Sequence, residues 1–382
     1  MIYEKSAEKG ISTMMAVVIA VVIVVVITIP VVYLALPSGP TQTTTTQTTT
    51  IITTTTSLTT TTASQLKIGF ITTSDETDLG WSQSAVDAAD YVTIKYGAEA
   101  DVSRWGVLAV GDTPRVISDY VAAGYDTVFL NGAEFSVYAV DAALAAPNVK
   151  IIAVNPPFTE DECPTNVMGV FERSDEPQYL AGILAGYMTE TKSIGAIFGE
   201  NYTPLWMESL AYTIGAHSVD PTIEVNVVMA GSWVDATLGY TLATAMIEEK
   251  NVDIIDQVAD VTGRGVISAV VDKNKWVIGC YGDQFSWAPN NTLTSYELDY
   301  KPLMDIYMEI ISSGQWDQYG GKFWNLGLAA GTGYLVPFKQ FVDPLIPAEV
   351  KAAIEEGKQA ILDGTITLPG QEFFPYPHLT MP

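Results

Sequence analysis

Aromatic rings and carboxylates collect at one kind of place in this chain, just past runs of apolar, β-branched residues. After LKIGFITT comes SDETDLGWSQS, with Asp78 and Trp81; after VVMAG come Ser232, Trp233 and Asp235; after IIDQVA comes Asp260; after VIGCY come Gly282, Asp283 and Trp287. Indoles can sandwich a flat ring, and carboxylates accept hydrogen bonds from ring nitrogens or hydroxyls. The chemistry on offer is recognition of a small solute. Each acid alone has a plainer use, Asp78 as a turn former and Asp235 as a helix cap. Trp81 and Trp233 lie in polar loop surroundings rather than in core-like runs, so they carry the binding expectation.

Bond-breaking chemistry has no comparable support. The two histidines are His217, in a helical stretch, and His378, in a proline-rich end. Neither a Ser-His-Asp nor a Cys-His constellation therefore has a credible base. No P-loop is present, and the glycines of GRG after Thr262 do not make a dinucleotide fingerprint. A carboxylate pair could cleave a glycoside, but a twice-repeated layout does not suggest it. No metal or cofactor is expected, because Cys163 and Cys280 have no CxxC spacing and no nearby histidine. Cys280, within WVIGCYG, reads as a buried strand residue; a bridge to Cys163 stays open, since sequence does not place the two Cα atoms. The formal charge of −26, with 44 acidic against 18 basic residues, argues against nucleic acid as a partner.

The elements that would carry these residues alternate regularly. Strand LKIGFITT, a helix over Ser82 to Tyr96, helix TPRVISDYVAAG, strand YDTVFLNG, helix FSVYAVDAALAA and strand VKIIAVN form a first series. A second follows, from helix PQYLAGILAGYMTE through strand SIGAIFG, helix LWMESLAYTIGAHS, strand EVNVVMAG, helix TLGYTLATAMIEEK, strand VDIIDQVA and helix RGVISAVVDK to strand WVIGCYG. Alternation of this kind predicts an α/β protein with parallel sheets and right-handed crossovers. Two similar series predict two doubly wound lobes with a cleft at the strand carboxyl ends. A late helix, Pro302 to Ser313, is expected to return to the first lobe and so make a hinge of crossing segments.

Ahead of this domain the composition changes. Met14 to Leu36 is apolar without a charge, about the length that crosses a bilayer as a helix. Val and Ile on every face, followed by low complexity, exclude an ordinary core helix. Residues 37–64 are mostly Thr with Gln, Ser and Pro, too polar to build a core, and read as a stalk open to O-glycosylation. Sequons at Asn201 and Asn290 agree with export. The stretch EKGISTMMAVV resembles class III signal peptides of archaeal surface proteins, cut after a Lys-Gly pair, here Lys9 and Gly10. That resemblance implies a retained helix that anchors the chain or assembles with others.

The stretches YLAGILAGYMTETKSIGAIFG, GSWVDATLGYTLATAMIEEKNVDIIDQVADVTGRGVI, WVIGCYGDQ and LTS together resemble the basic membrane protein family of ABC-transporter substrate-binding proteins. The resemblance covers Leu66 to about Pro369 and implies a type I periplasmic-binding fold. Nucleoside binders of that family stack the base between two loop aromatics, which correspond here to Trp81 and Trp233. By position, Asp78, Asp260 and Asp283 would hold polar edges. Two departures concern the sugar: Tyr281 stands where an aspartate is usual, and SYELDY follows LTS without the usual lysine. Tyr281 and Trp287 would then close over the space a ribose fills.

The expected layout is a leader over 1–10, an anchor helix over 11–36, a stalk over 37–64 and a binding domain over 65–372. Lobe 1 is expected from about 65–172 plus 285–320, and lobe 2 from about 173–284 plus 321–372. The expected activity is capture of a purine nucleoside, nucleobase or similar aromatic solute outside the cell, by lobe closure, for delivery to an ABC permease. The alternatives are a sugar or other small solute, or a surface structural or sensory protein that assembles through its N-terminal helix.

Overall fold

The computed structural model describes residues 65–73, 79–105 and 110–382. The leader, anchor helix and stalk expected over 1–64 lie outside the described residues, as does Asp78. Among the described residues no helix is long and apolar enough to cross a membrane.

The first lobe opens with β1 (Lys67–Thr73), α1 (Trp81–Tyr96), β2 (Glu99–Trp105) and α2 (Thr113–Ala122). It continues through β3 (Thr127–Leu130), α3 (Ala133–Ser136), α4 (Ala139–Ala145), β4 (Lys150–Val154) and β5 (Val167–Phe171). The second lobe runs through α5 (Asp175–Met188), β6 (Ser193–Phe198), α6 (Thr203–Val219), β7 (Glu224–Met229) and α7 (Ala236–Lys250), then β8 (Ile254–Val258), α8 (Asp260–Asp272), β9 (Trp276–Gly279) and β10 (Thr292–Leu298). After that come α9 (Lys301–Ser312), β11 (Lys322–Asn325), β12 (Gly333–Leu335), α10 (Ala348–Leu362) and α11 (Pro369–Phe373).

Two six-stranded sheets result, in the orders β11-β5-β4-β3-β1-β2 and β12-β10-β9-β8-β6-β7. All neighbours pair in parallel except β10 and β12. Helices cover both faces of the inner strands, and β3, β5, β6 and β8 are buried along their whole length, with Asp256 and Gln257 of β8 polar members of otherwise largely apolar runs. Helix α5 is buried from Asp175 to Gly186. It lies directly against α6, where a Cβ on Gly182 would fall 2.1 Å from the Tyr212 carbonyl oxygen and one on Gly215 as close to that of Tyr179. The glycine pair lets the two backbones touch.

The late helix does return: α9 meets α1, with the Tyr91 hydroxyl and the Lys95 ammonium both on the Asp305 carboxylate. The lobe boundaries fall differently from expectation. Thr292–Leu298, expected in the first lobe, is a strand of the second sheet, and Lys322–Asn325, expected in the second, is the edge of the first. The chain thus crosses after β5, after β10 and after β11. Both strands are edge or near-edge pieces with mixed polarity, which leave little periodicity to read. The tail also comes back to the first sheet, where His378 bridges to Asn325 and Phe374 stacks on Phe171 at 4.3 Å.

Cys163 and Cys280 are both free thiols, the first beside β5 of lobe 1 and the second at the end of β9 of lobe 2.

Candidate functional site

The carboxyl ends of both sheets face one another across the hinge, and the backbone there is held in unusual conformations. Among the described residues, seven non-glycine residues have positive φ. Three of them, Asn155, Asp260 and Tyr281, follow β4, β8 and β9 within two residues, and a fourth, Leu79, lies just before α1. Asn155 tolerates this region, but Leu and Tyr do not favour it, and such strain persists only where the surroundings impose it.

Trp81 begins α1, and its indole N–H donates to the Asn131 carbonyl at 3.2 Å. Asn131, fully buried past β3, returns a bond to the Trp81 carbonyl and another to Thr72. The Trp81 ring meets Tyr281 of the other lobe edge to face, with centroids 5.4 Å apart. The lobes also touch through the Leu79 carbonyl, which accepts from Gln284 and sits so near Gly282 that a Cβ there would fall 2.5 Å from it.

On lobe 2, Trp233 lies across Gly199, where any Cβ would enter the indole ring at 2.2 Å. Its loop is tied to the first turn of α8: Thr262 donates its hydroxyl to the Ser232 carbonyl and its N–H to the Trp233 carbonyl. Asp235 caps α7 by accepting from Leu238 N–H at 2.9 Å. Tyr202, at the start of α6, meets the Trp233 ring edge to face at 6.3 Å.

Tyr281 is buried, and its hydroxyl donates to Glu208 Oε1 at 2.9 Å, while the Tyr296 hydroxyl donates to Oε2 at the same distance. Burial pushes the Glu208 carboxyl up to about 7 against the pull of those two bonds. Glu172, past β5, is also buried and accepts from Asn155 at 3.0 Å. Its carboxyl is pushed well above the ordinary range, first by burial and then by the negative charges of Glu208 and Glu134. The Tyr202 hydroxyl is raised by desolvation and then by Glu172, Glu208, Glu134 and Asp260.

Of the residues singled out in the sequence, Trp81, Tyr281, Trp233 and Asp260 fall on this facing set of strand ends. Asp283 sits at its rim, accepting from Phe285 N–H and paired with Lys339 at 2.5 Å. It borders an interlobe cavity of about 160 Å³ with Gln83, Tyr281, Glu297 and Lys301. Trp287 joins none of these contacts; it packs on the α7–α8 side of lobe 2 under the Arg264 guanidinium, 4.9 Å from the ring. Sequence reasoning passed over Glu134, Asn155, Glu172, Tyr202 and Glu208. The strand-end rule, applied to VFLNG and VKIIAVN as well, would have found Glu134 and Asn155. Glu208 is a lone acid on the apolar face of α6, and only its burial singles it out.

Two α/β lobes, strand ends turned inward and aromatic rings on either side define a solute-binding protein of the periplasmic-binding type. Residues 65–372 match the family described as ABC transporter substrate-binding protein PnrA-like, and the chain belongs to that family, whose members bind solutes rather than transform them. Basic membrane protein A1 of Borrelia garinii is 26% identical over 79% of this chain and 88% of its own length. A purine-binding protein of Brucella abortus is 26% identical over 79% and 82%. A protein of Haloferax volcanii named for ABC-transporter glucose binding is 26% identical over 77% and 71%. Among solved structures, an Aeropyrum pernix ABC-transporter solute-binding protein superposes with a TM-score of 0.67 at 20% identity, covering 79% of this chain and 92% of its own.

Proposed function

We propose that this chain captures a flat nitrogen heterocycle, a purine base or nucleoside, and presents it to an ABC permease from the outer side of the membrane. The N-terminal apolar helix and threonine stalk would hold it there. The observation that carries the ligand class is the pair Trp81 and Trp233, one on each lobe, each fixed by its own loop: the first through Asn131, the second over Gly199. Hinge closure would bring a ring between them. The Brucella relative's purine binding supports this reading.

A second reading has its own support in the Haloferax relative. There the indoles would pack on a sugar face and the carboxylates would accept from its hydroxyls. Tryptophan fluorescence titrated with purine bases, nucleosides and glucose separates the two. Trp81→Ala and Trp233→Ala are each expected to abolish heterocycle binding in calorimetry while the chain still folds and unfolds cooperatively. Unchanged affinity in both variants would sink the stacking arrangement.

A further inference from the structure

Resting on the reading of the cleft as the ligand site, we propose that the solute is a cationic nitrogen heterocycle, its positive charge held by Glu172 and Glu134. Four carboxylates from both lobes, Glu134, Glu172, Glu208 and Asp260, act on the same Tyr202 hydroxyl. The basic side chains on bordering elements are engaged elsewhere. Arg173 is bound to Asp175, Lys301 to Asp299, Lys339 to Asp283, and Arg264 lies over Trp287.

The polar atoms without a protein partner point to the same ligand. Glu172 Oε2, Asn131 Oδ1 and the Tyr300 hydroxyl are buried without a hydrogen-bond partner, and Tyr300 lies within the fields of Glu172 and Glu134; Arg173 Nη1 also lacks a hydrogen bond but lies 3.7 Å from Glu176 Oε1. Buried acceptors of this kind cost free energy until a donor arrives. A ligand rich in N–H donors satisfies them, whereas one rich in carbonyls or carrying negative charge adds acceptors to acceptors. Aromatic faces add their own attraction for a cation.

The same geometry makes binding release protons. The groups around Glu172 are Asn155 just past β4, Glu134 from α3, Glu208 from α6, Tyr202 just before α6, Tyr281 past β9 and Tyr300 before α9, with Arg173 next in the chain turned to Asp175; the charges that raise its carboxyl are those of Glu208 and Glu134. Burial first, and then these charges, hold its carboxyl above the ordinary range, and an arriving cation opposes both. The proton leaves Glu172 for the buffer as its carboxylate pairs with the ligand.

The test is calorimetry on the full-length chain, below neutral pH so that 7-methylguanosine keeps its N1 proton and stays a cation, with two matched pairs, adenosine against 1-methyladenosine and guanosine against 7-methylguanosine. Expected is a preference for the methylated cation of at least about tenfold, weakened by salt. Proton release, read from buffers of different ionisation enthalpy, should accompany it. Glu172→Gln and Glu134→Gln, both isosteric, should each reduce that preference, read as the ratio of cation to neutral-nucleoside affinity in the same variant. Equal or tighter binding of the neutral member in both pairs, or a cation preference untouched in both variants, overturns the proposal while leaving the heterocycle reading standing. Glucose binding with no response to any of the four overturns both. Should none of these probes bind, the charge at neutral pH of the small molecule released on denaturing the purified chain decides it, a neutral or anionic molecule being fatal.

Discussion

Glu172 and Arg173 are neighbours in the chain, yet they belong to two differently built groups of buried acids. At the hinge, Arg173 is 1% exposed and grips Asp175 through two bonds, Nε to Oδ1 at 2.7 Å and Nη2 to Oδ2 at 2.9 Å. Asp175 also accepts from Gly370 N–H, and Glu176 from Leu328 N–H, so the same cluster ties the start of α5 to the connection after β11 and to the C-terminal tail. At the cleft floor, Glu172 and Glu208 have neutral donors only, an asparagine amide and two tyrosine hydroxyls. The first arrangement neutralises charge within the fold and fixes the crossing segments. The second leaves polar capacity that the fold does not use, and carboxyls held towards their protonated form, where a solute arrives.

Removing Arg173 breaks the comparison most severely. Arg173→Met leaves the two hinge carboxylates buried without their cation, which for a buried pair costs about 3–5 kcal/mol. Denaturant unfolding at neutral pH measures it. A loss below about 1 kcal/mol would place this cluster with ordinary surface ion pairs and remove the contrast.

Glu208 gives the next effect, and its sign follows from its position. Its carboxyl titrates at about 7 in the fold against an ordinary 4.5. Below about 4.5 both folded and unfolded chains carry the proton, and its contribution to stability is full. As pH rises from there towards 7 the unfolded chain has lost a proton that the fold keeps, so stability falls; above 7 the loss is complete. Glu176, also pushed up to about 7 by burial against the pull of Arg173, adds to the same window. Glu208→Gln keeps the shape and removes one proton from the balance. The slope of unfolding free energy between about pH 5 and 7 should become shallower by up to about 1.4 kcal/mol per pH unit. An unchanged slope would mean that Glu208 is not the group that titrates there.

How much of this was legible in the sequence depends on which physical signal each part leaves. Strands such as SIGAIFG and helices such as PQYLAGILAGYMTE announce themselves because burial on both faces demands unbroken apolar runs, and their doubling gave the two lobes. Trp81 and Trp233 stood out in the sequence as indoles in polar surroundings, and in the fold both are partly buried at strand ends against the core. Thr292–Leu298, next to the edge of its sheet, and the edge strand Lys322–Asn325 were not legible, since both mix polar with apolar residues and leave no clean period. Glu172 and Arg173 lie in FERSDEP, a string of charges that reads as a solvated turn; only the tertiary crossing buries it. The partition of those charges into a paired hinge and an unpaired cleft is a property of direction, which adjacent letters do not encode.

The rim acid Asp283 separates burial from pairing, and its effect is the smallest. It has a cation, as Asp175 does, but the two side chains of the Asp283–Lys339 pair keep 38% and 42% of their surface in solvent. Solvent screens both partners whether or not they meet, so Lys339→Met should cost less than about 1 kcal/mol, and the difference should vanish in high salt. Melting temperatures at low and high ionic strength measure it. If burial sets the worth of these pairs, this variant and Arg173→Met differ several-fold, by more than the second carboxylate that Arg173 serves would account for. A loss from Lys339→Met as large as that from Arg173→Met, persisting in salt, would instead make Asp283 part of what holds the lobes together through its turn beside Gly282 and Leu79.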